Sequence, residues 1–372
     1  MKIIHIITGL DVGGAETALF RLLSNNRQDA CVVSLTTCGK IGDEIRAAGY
    51  SVYFLNLNPF NLPIVFFRLY KMIKEYNPSI VHTWLYHSDL IGGISAKLAG
   101  VKYIIWSIRT TNLRQGSYVT SVIRYFCSKL SFYIPDKIVV VAEKAKKKHI
   151  DLGYKSSKMT VIPNGFEIAK FDVSLNKVAS FKKEIGLADD ELVVGCVGRL
   201  SQVKGQDVFV KATKIVLKVF PRVRFLLIGR GLDYSNHEFI DVLKKHSNIN
   251  NFILLGERSD IPTCLKSMDL FCLPSRSEGF PNSLGEAMLA GIPCVSTDAG
   301  DASTLGGKDV PIVKVGNHED LANKLVKVLK KSQLEREKIG RRLRQRIIDE
   351  YSLDKMACQY QDLYSDLESG WS

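Results

Sequence analysis

Much that would place a sequence quickly is missing here. No run approaches the roughly 18–20 uninterrupted apolar residues that cross a bilayer. The opening MKIIHIITGL is interrupted too soon by Asp11 to be a secretory signal. It reads as a buried first strand, and the chain is expected to stay in the cytosol. Among the eight cysteines there is no C-x-x-C pair and no His/Cys cluster at zinc spacing, which excludes a structural zinc module. Cys31, Cys196, Cys272 and Cys294 lie inside apolar strand-like runs, where a thiol packs as a small hydrophobe. Reduced, structural cysteines are the expectation. Also absent are a fixed-period repeat, a low-complexity tract and a recognised nucleic-acid motif.

What is there describes an ordinary globular chain. With 46% hydrophobic and 24% charged residues it can build cores, and 372 residues exceed what one core usually holds. Two domains follow. The formal charge of +13 is uneven along the chain: residues 1–170 hold 22 Lys/Arg against 11 Asp/Glu, and residues 171–372 hold 29 against 27. A basic half implies an anionic partner, whether nucleic acid, a phosphorylated substrate or an acidic membrane leaflet.

Short apolar strands alternate with helical stretches almost throughout, the signature of parallel α/β architecture. Strands are expected at Lys2–Thr8, Ala30–Ser34, Ser51–Leu55, Ile80–Thr83, Tyr103–Ser107, Lys137–Val141 and Met159–Ile162. A second series runs Glu191–Val197, Phe225–Ile228, Phe252–Leu254, Leu270–Leu273, Cys294–Thr297 and Val310–Val313. The spacing predicts helices at Ala15–Leu23 and Leu62–Tyr76. An irregular, polar-rich stretch from Pro163 to about Leu187 separates two doubly wound halves, set here as 1–168 and 169–351. The final helical region breaks near Tyr351–Ser352, and residues 352–372 are expected to return to the first domain, although spacing alone does not require it.

Open α/β sheets bind ligands in the loops beyond the carboxyl ends of their strands. After the first strand comes Gly9-Leu-Asp-Val-Gly13-Gly14-Ala-Glu16, where paired glycines let backbone approach a ligand and the following helix N-terminus favours anions. It is not a G-x-G-x-x-G fingerprint. After the strand at 191–197, Arg199 and Lys204 stand five positions apart in a glycine-bounded loop and can converge on one diphosphate, or be two solvated cations. Beyond Leu273 the segment Glu278-Gly-Phe280-Pro281-Asn282-Ser283-Leu284-Gly-Glu286 leads into a helix that Ser283 can cap. The amides of Phe280–Leu284 then point out of a helix N-terminus. Glu278 and Glu286 beside it can accept hydroxyl hydrogen bonds, or merely compensate the dipole.

Taken in order, these segments resemble the retaining nucleotide-sugar glycosyltransferases of family 4, with their GT-B fold. The resemblance rests on Gly13-Gly14-Ala15-Glu16, Asn164-Gly-Phe-Glu167, Gly198-Arg199-Leu with Lys204-Gly205, and Leu227-Ile-Gly229-Arg-Gly231. It continues through Leu255-Gly-Glu-Arg258-Ser-Asp-Ile261, Glu278 to Met288, and Gly291-Ile-Pro-Cys-Val295. It implies two Rossmann-like doubly wound domains facing a central cleft, the first for the acceptor and the second for a nucleotide-sugar donor, with no metal and no cofactor. By the same resemblance Arg199 and Lys204 hold the diphosphate, Glu286 the ribose, and Glu278 faces the transferred sugar. Backbone groups of Phe280, Pro281, Asn282, Ser283 and Leu284 meet phosphates and sugar, Arg258 and Ile261 flank the base, and Gly13 and Gly14 close over the donor. Relatives commonly place a His after the strand at 103–107, where this chain has Arg109. Arg109 and His82 therefore join Glu278 as expected catalytic residues.

The expected reaction is retaining transfer from a nucleotide-sugar, with UDP as the expected base carrier, to a glycan or lipid-linked saccharide in surface-polysaccharide synthesis. The cationic loop and helix N-terminus would do the work of a metal at the leaving diphosphate. Other readings stay open: an epimerase or another GT-B enzyme, a basic nucleic-acid-binding protein, or an inactive sugar-nucleotide sensor. The stretch Arg114–Tyr133 mixes aromatic with cationic residues and is expected to rest peripherally on an anionic membrane surface.

Overall fold

The computed structural model describes residues 1–25, 29–111, 113, 117–188 and 190–369. It divides into two compact units, one comprising Met1–Gly165 with Leu353–Ser372 and the other Phe166–Ser352.

In the first unit β1 (Lys2–Ile7), α1 (Gly14–Asn25), β2 (Asp29–Ser34), α2 (Gly39–Ala47), β3 (Ser51–Phe54) and α3 (Leu62–Tyr76) follow one another. Then come β4 (Ile80–Trp84), α4 (Tyr86–Leu98), β5 (Tyr103–Ile108), α5 (Tyr118–Leu130), β6 (Lys137–Val140), α6 (Glu143–Asp151) and β7 (Met159–Val161). The strands are parallel in the order β3-β2-β1-β4-β5-β6-β7, so the winding reverses between β1 and β4. One sheet face carries Ile3, Ile7, Ile105 and Val139 against α1 and α2. The other takes α4, whose Gly92 and Gly93 let it lie close: a Cβ added at Gly93 would fall 2.6 Å from Trp106 Nε1. The α3, α4 and α5 helices pack side by side on that face.

The second unit holds α7 (Leu175–Glu184), β8 (Val193–Val197), α8 (Gln206–Leu217), β9 (Arg224–Ile228), α9 (His237–His246), β10 (Phe252–Leu254) and α10 (Ile261–Lys266). It continues with β11 (Leu270–Leu273), α11 (Asn282–Leu289), β12 (Cys294–Thr297), α12 (Ala302–Gly306), β13 (Ile312–Val313), α13 (His318–Leu329) and α14 (Gln333–Tyr351). Its parallel order is β10-β9-β8-β11-β12-β13, reversing between β8 and β11. The last helix, α15 (Leu353–Ser369), belongs to the first unit, where Met356, Tyr360, Leu363 and Tyr364 complete the core beside α1.

The irregular stretch expected at 163–187 is not irregular. It contains α7, capped by Ser174, whose hydroxyl accepts from the Lys177 amide at 3.4 Å. Its apolar stripe is short, with only Val178 and Phe181 buried, so the periodicity was too weak to read. All eight cysteines are unpaired, and the four in strands are buried.

Candidate active site

The second unit's reversal point brings the loops after β8 and β11 together. Gly205 makes this possible: its φ is +69°, and a Cβ there would fall 2.2 Å from the carbonyl oxygen of Pro274. Gln206, at the start of α8 and only 1% exposed, fastens the first loop. Its Nε2 donates to the carbonyls of Gly198 at 3.2 Å and Arg199 at 2.9 Å, and its Oε1 accepts from the Ser201 amide at 3.4 Å. Arg276, from the second loop, donates to both Asp207 carboxylate oxygens at 2.6 Å and to the Gln202 carbonyl at 2.7 Å. That fork holds Asp207 below its ordinary carboxyl pKa and ties the two loops to each other.

Between these braces sit the residues the sequence singled out. Lys204 Nζ donates to Glu278 Oε1 at 2.9 Å and Oε2 at 3.0 Å, and Ser275 Oγ donates to Oε1 at 2.6 Å. Thr297 Oγ1 pins the same turn by donating to the Ser275 carbonyl at 2.5 Å. Glu278 is buried while Lys204 is half-buried, so one cation neutralises a carboxylate that water scarcely reaches. Arg199 is exposed and has no side-chain partner among the described residues. The site thus has one cation already paired and one in reserve.

The amino end of α11 differs from expectation in two ways. The cap position is Pro281 rather than Ser283, which lies inside the first turn. Of the amides in Phe280–Leu284, Pro281 has none, Asn282 is bonded to the Phe280 carbonyl at 2.9 Å, and Leu284 to that of Pro281 at 3.1 Å. The amides of Phe280 and Ser283 have no backbone partner among the described residues. Glu286 is half-buried one turn further along α11. Gly300, at φ +55°, lets the next loop touch the Glu278 turn: an added Cβ would meet the Glu278 carbonyl oxygen at 2.7 Å.

Arg258 was expected to flank a base, but its guanidinium is fully engaged. It forks onto Asp260 at 2.7 and 2.8 Å, reaches Glu184 at 3.4 Å, and lies 5.1 Å from the centre of the Phe181 ring. It braces α7 to the loop before α10, leaving backbone and the half-buried Ile261 as what that loop offers.

In the first unit the glycine turn is filled from within. Glu16 folds back so that a Cβ on Gly13 would fall 2.3 Å from its Oε2, and its carboxylate takes the amides of Ala15 and Glu16 at the amino end of α1. The anion seat expected behind Gly13 and Gly14 is therefore occupied by the chain's own carboxylate. Burial raises the Glu16 carboxyl above its ordinary pKa, and Arg109 opposes that shift. Arg109 itself donates to Tyr360 Oη at 3.3 Å and to Asn164 Oδ1, with its guanidinium 5.3 Å from the Trp84 ring centre.

His82 is corrected from a site residue to a core anchor. It is fully buried, with Nδ1 2.8 Å from Tyr364 Oη and Nε2 2.7 Å from Ser107 Oγ, and it stacks on Trp84 at 4.7 Å. Both ring nitrogens are engaged, and burial drives its pKa well below the usual imidazole value. Gln206, Ser275 and the Arg276–Asp207 pair were missed altogether. The only signal in the sequence was their place in glycine-bounded loops, since the pairing itself spans 69 positions.

Two family models match the chain: Glycosyltransferase Family 4 over residues 12–170, and Glycosyl transferases group 1 over residues 191–331. An Escherichia coli UDP-Gal:alpha-D-GlcNAc-diphosphoundecaprenol alpha-1,3-galactosyltransferase is 26% identical over 370 residues, covering 94% of this chain and 92% of that protein. The Staphylococcus aureus capsular polysaccharide biosynthesis glycosyltransferase CapM is 25% identical, covering 98% of this chain and 97% of that one. In fold the chain is similar to Anabaena Alr3699/HepE, solved in complex with UDP, with a TM-score of 0.87 at 21% identity over 98% of this chain and 100% of that one.

Proposed function

The chain belongs to glycosyltransferase family 4 and has the GT-B fold, and from that premise we propose that it transfers a sugar from a UDP-sugar, with retention and without a metal, to a lipid-linked saccharide. The observation that carries this reading is the pairing of Lys204 with buried Glu278, in a loop whose Arg199 has no side-chain partner among the described residues. A diphosphate arriving there meets Arg199 first and then shares Lys204 with Glu278. As the bond from the anomeric carbon to the diphosphate breaks, charge grows on the leaving oxygen, and both cations with the Phe280 and Ser283 amides stabilise it. The acceptor oxygen bonds to the anomeric carbon on the face the diphosphate leaves, and the departing phosphate oxygen takes the acceptor proton. Glu278 orients the sugar and supports positive character on its ring, and Glu286 holds ribose hydroxyls. Arg109 acts on the first unit, and His82 takes no part in the chemistry.

The donor assignment draws on the UDP-bound neighbour, and the acceptor on relatives named for diphosphoundecaprenol-linked and capsular substrates. Peripheral attachment of the first unit to an anionic membrane belongs to the same proposal. No helix among the described residues is long and apolar enough to cross a bilayer. Two measurements test the proposal. In a thermal-shift panel of UDP-, GDP- and ADP-sugars, the UDP compound is expected to stabilise most. Transfer, followed by product anomer, is expected to persist in EDTA with the α configuration kept. Loss of transfer in EDTA with recovery on Mg²⁺ or Mn²⁺ overturns the metal-free mechanism, and an inverted product overturns retention.

A further inference from the structure

We propose that the first unit holds an anion seat centred on Arg124, and that its ligand is the phosphate or diphosphate group of the acceptor. The inference rests on the acceptor reading given above. Arg124 lies on the inward side of α5 with Cys127 and Ser128 and is only 7% exposed. Its Nη1 is closed to solvent and has no hydrogen-bond partner among the described residues. Nη2 makes a long contact, 3.3 Å to Ser121 Oγ, and the guanidinium also meets the Tyr86 side chain, lying 5.7 Å from the centre of its ring. Among the described residues no carboxylate stands at ion-pair distance from it. A buried cation without a counter-ion is costly, and native folds rarely leave such a nitrogen unmatched without a use for it.

Its neighbours do not supply the missing charge. His149 Nδ1 lies 2.7 Å from the Ala145 carbonyl, and burial pushes the ring's pKa down to about 4. The neutral ring therefore carries its proton on Nδ1, and Nε2 accepts from Tyr86 Oη at 2.6 Å. Asp89, also buried, accepts from Thr83 Oγ1 at 2.6 Å, and burial holds its carboxyl well above the ordinary value. A further cation, Lys148, acts with Arg124 on His149; it is exposed and donates to the Thr111 carbonyl at 3.2 Å.

The placement suits a ligand. Tyr86 opens α4 directly after β4, Arg124 stands midway along the helix that follows β5, and Lys148, in the last turn of the helix that follows β6, reaches back to Thr111 just beyond β5. All three elements begin at the carboxyl edge of the sheet, where open α/β folds bind ligands. Arginine's planar fork matches phosphate oxygens, and a lysine adds a point charge. The long Ser121 contact is the one that yields when an anion draws the guanidinium outward.

The test uses the full-length protein and two acceptors, a lipid diphosphate-linked sugar and an alkyl glycoside of the same sugar without phosphate. Arg124→Met is expected to raise KM for the diphosphate acceptor about tenfold or more, and Lys148→Ala by a few-fold. KM for the alkyl glycoside and affinity for UDP should stay unchanged. Equal effects on both acceptors, or none on either, overturn the proposal. Should Arg124→Met not fold, Arg124→Lys and the exposed Lys148→Ala carry the same comparison. A second readout is independent of the sugar reaction: inorganic pyrophosphate titrated calorimetrically into an Arg199→Ala/Lys204→Ala background, where the second unit's cations are gone. Binding that Lys148→Ala weakens supports the seat, and absence of binding overturns it. Failure of the glycosyltransfer reading would look different, with the native protein turning over neither acceptor.

Discussion

On the proposed reading Lys204 stands between a buried carboxylate and an incoming diphosphate, and removing it exposes both tasks. Arg199→Ala deletes only a contact to the ligand, so donor affinity should fall about 10–150-fold with stability unchanged, from roughly 1.5–3 kcal/mol per charged hydrogen bond. Lys204→Ala should weaken the donor similarly and also strand Glu278, whose remaining partner is Ser275. It should therefore lower unfolding free energy by roughly 1–3 kcal/mol, with Glu278→Gln recovering most of that loss. Urea unfolding of the single and double variants decides it. If Lys204→Ala is as stable as native protein, the pair is a surface contact. The two glutamates should separate by kinetics: Glu286→Ala raises the donor KM, since a ribose contact is uniform through the reaction, whereas Glu278→Ala lowers kcat, since its partner changes charge in the transition state. Identical effects on one parameter would refute that division.

Elements are held in place by close approaches as much as by caps. α11 presents Gly285 to the buried ring of Phe166, and a Cβ there would lie 2.0 Å from Phe166 Cζ. Phe166 in turn packs 6.2 Å from Phe280, at the amino end of α11 where the amides proposed to meet the donor lie. Gly285→Ala should therefore cost roughly 1–3 kcal/mol of stability and misplace those amides, raising the donor KM. Adding Phe166→Leu should restore stability, and a double variant no better than the single one would show that the glycine serves only the backbone. None of this closeness was legible in sequence, where Gly285 is one small residue among several. The strands were legible. Phe252–Leu254, Leu270–Leu273 and Cys294–Thr297 fall where the sequence set them, because strands covered on both faces read as unbroken apolar runs. Lys204 and Glu278 were legible as residue types in strand-end loops, while their bond, across 74 positions, was not. His82 misled because a histidine ending a strand looks alike whether it faces a ligand or, as here, Tyr364 and Ser107.

At the scale of the whole molecule, charge does not divide along the sequence as it divides between the folded units. Cutting the chain at residue 170 gave a basic half and a nearly neutral one, but α15 returns four carboxylates to the first unit. By unit, the first holds 22 Lys/Arg against 14 Asp/Glu and the second 29 against 24, which no longer sets one apart. Distribution within the first unit still does. α15 packs with α1 on one face of the sheet, whereas α3, α4 and α5 cover the other. On that second layer Phe60 is 95% exposed, Phe67 66% and Tyr118 84%, with Ile64, Tyr125 and Phe126 also exposed. Arg68 and Lys71 on α3 and Lys129 on α5 supply the cations, while Arg114, part of the expected membrane stretch, lies outside the described residues. Apolar side chains interleaved with cations suit the headgroup region, where each cation contributes about 1 kcal/mol against an anionic surface. Sedimentation with liposomes should accordingly show binding that needs anionic lipid and declines as salt rises. Phe67→Ser and Tyr125→Ser should each reduce the bound fraction at low salt without changing UDP affinity, because burial of the exposed rings is what they remove. Protein left in the supernatant with anionic vesicles at low salt would mean that this layer meets something other than a membrane.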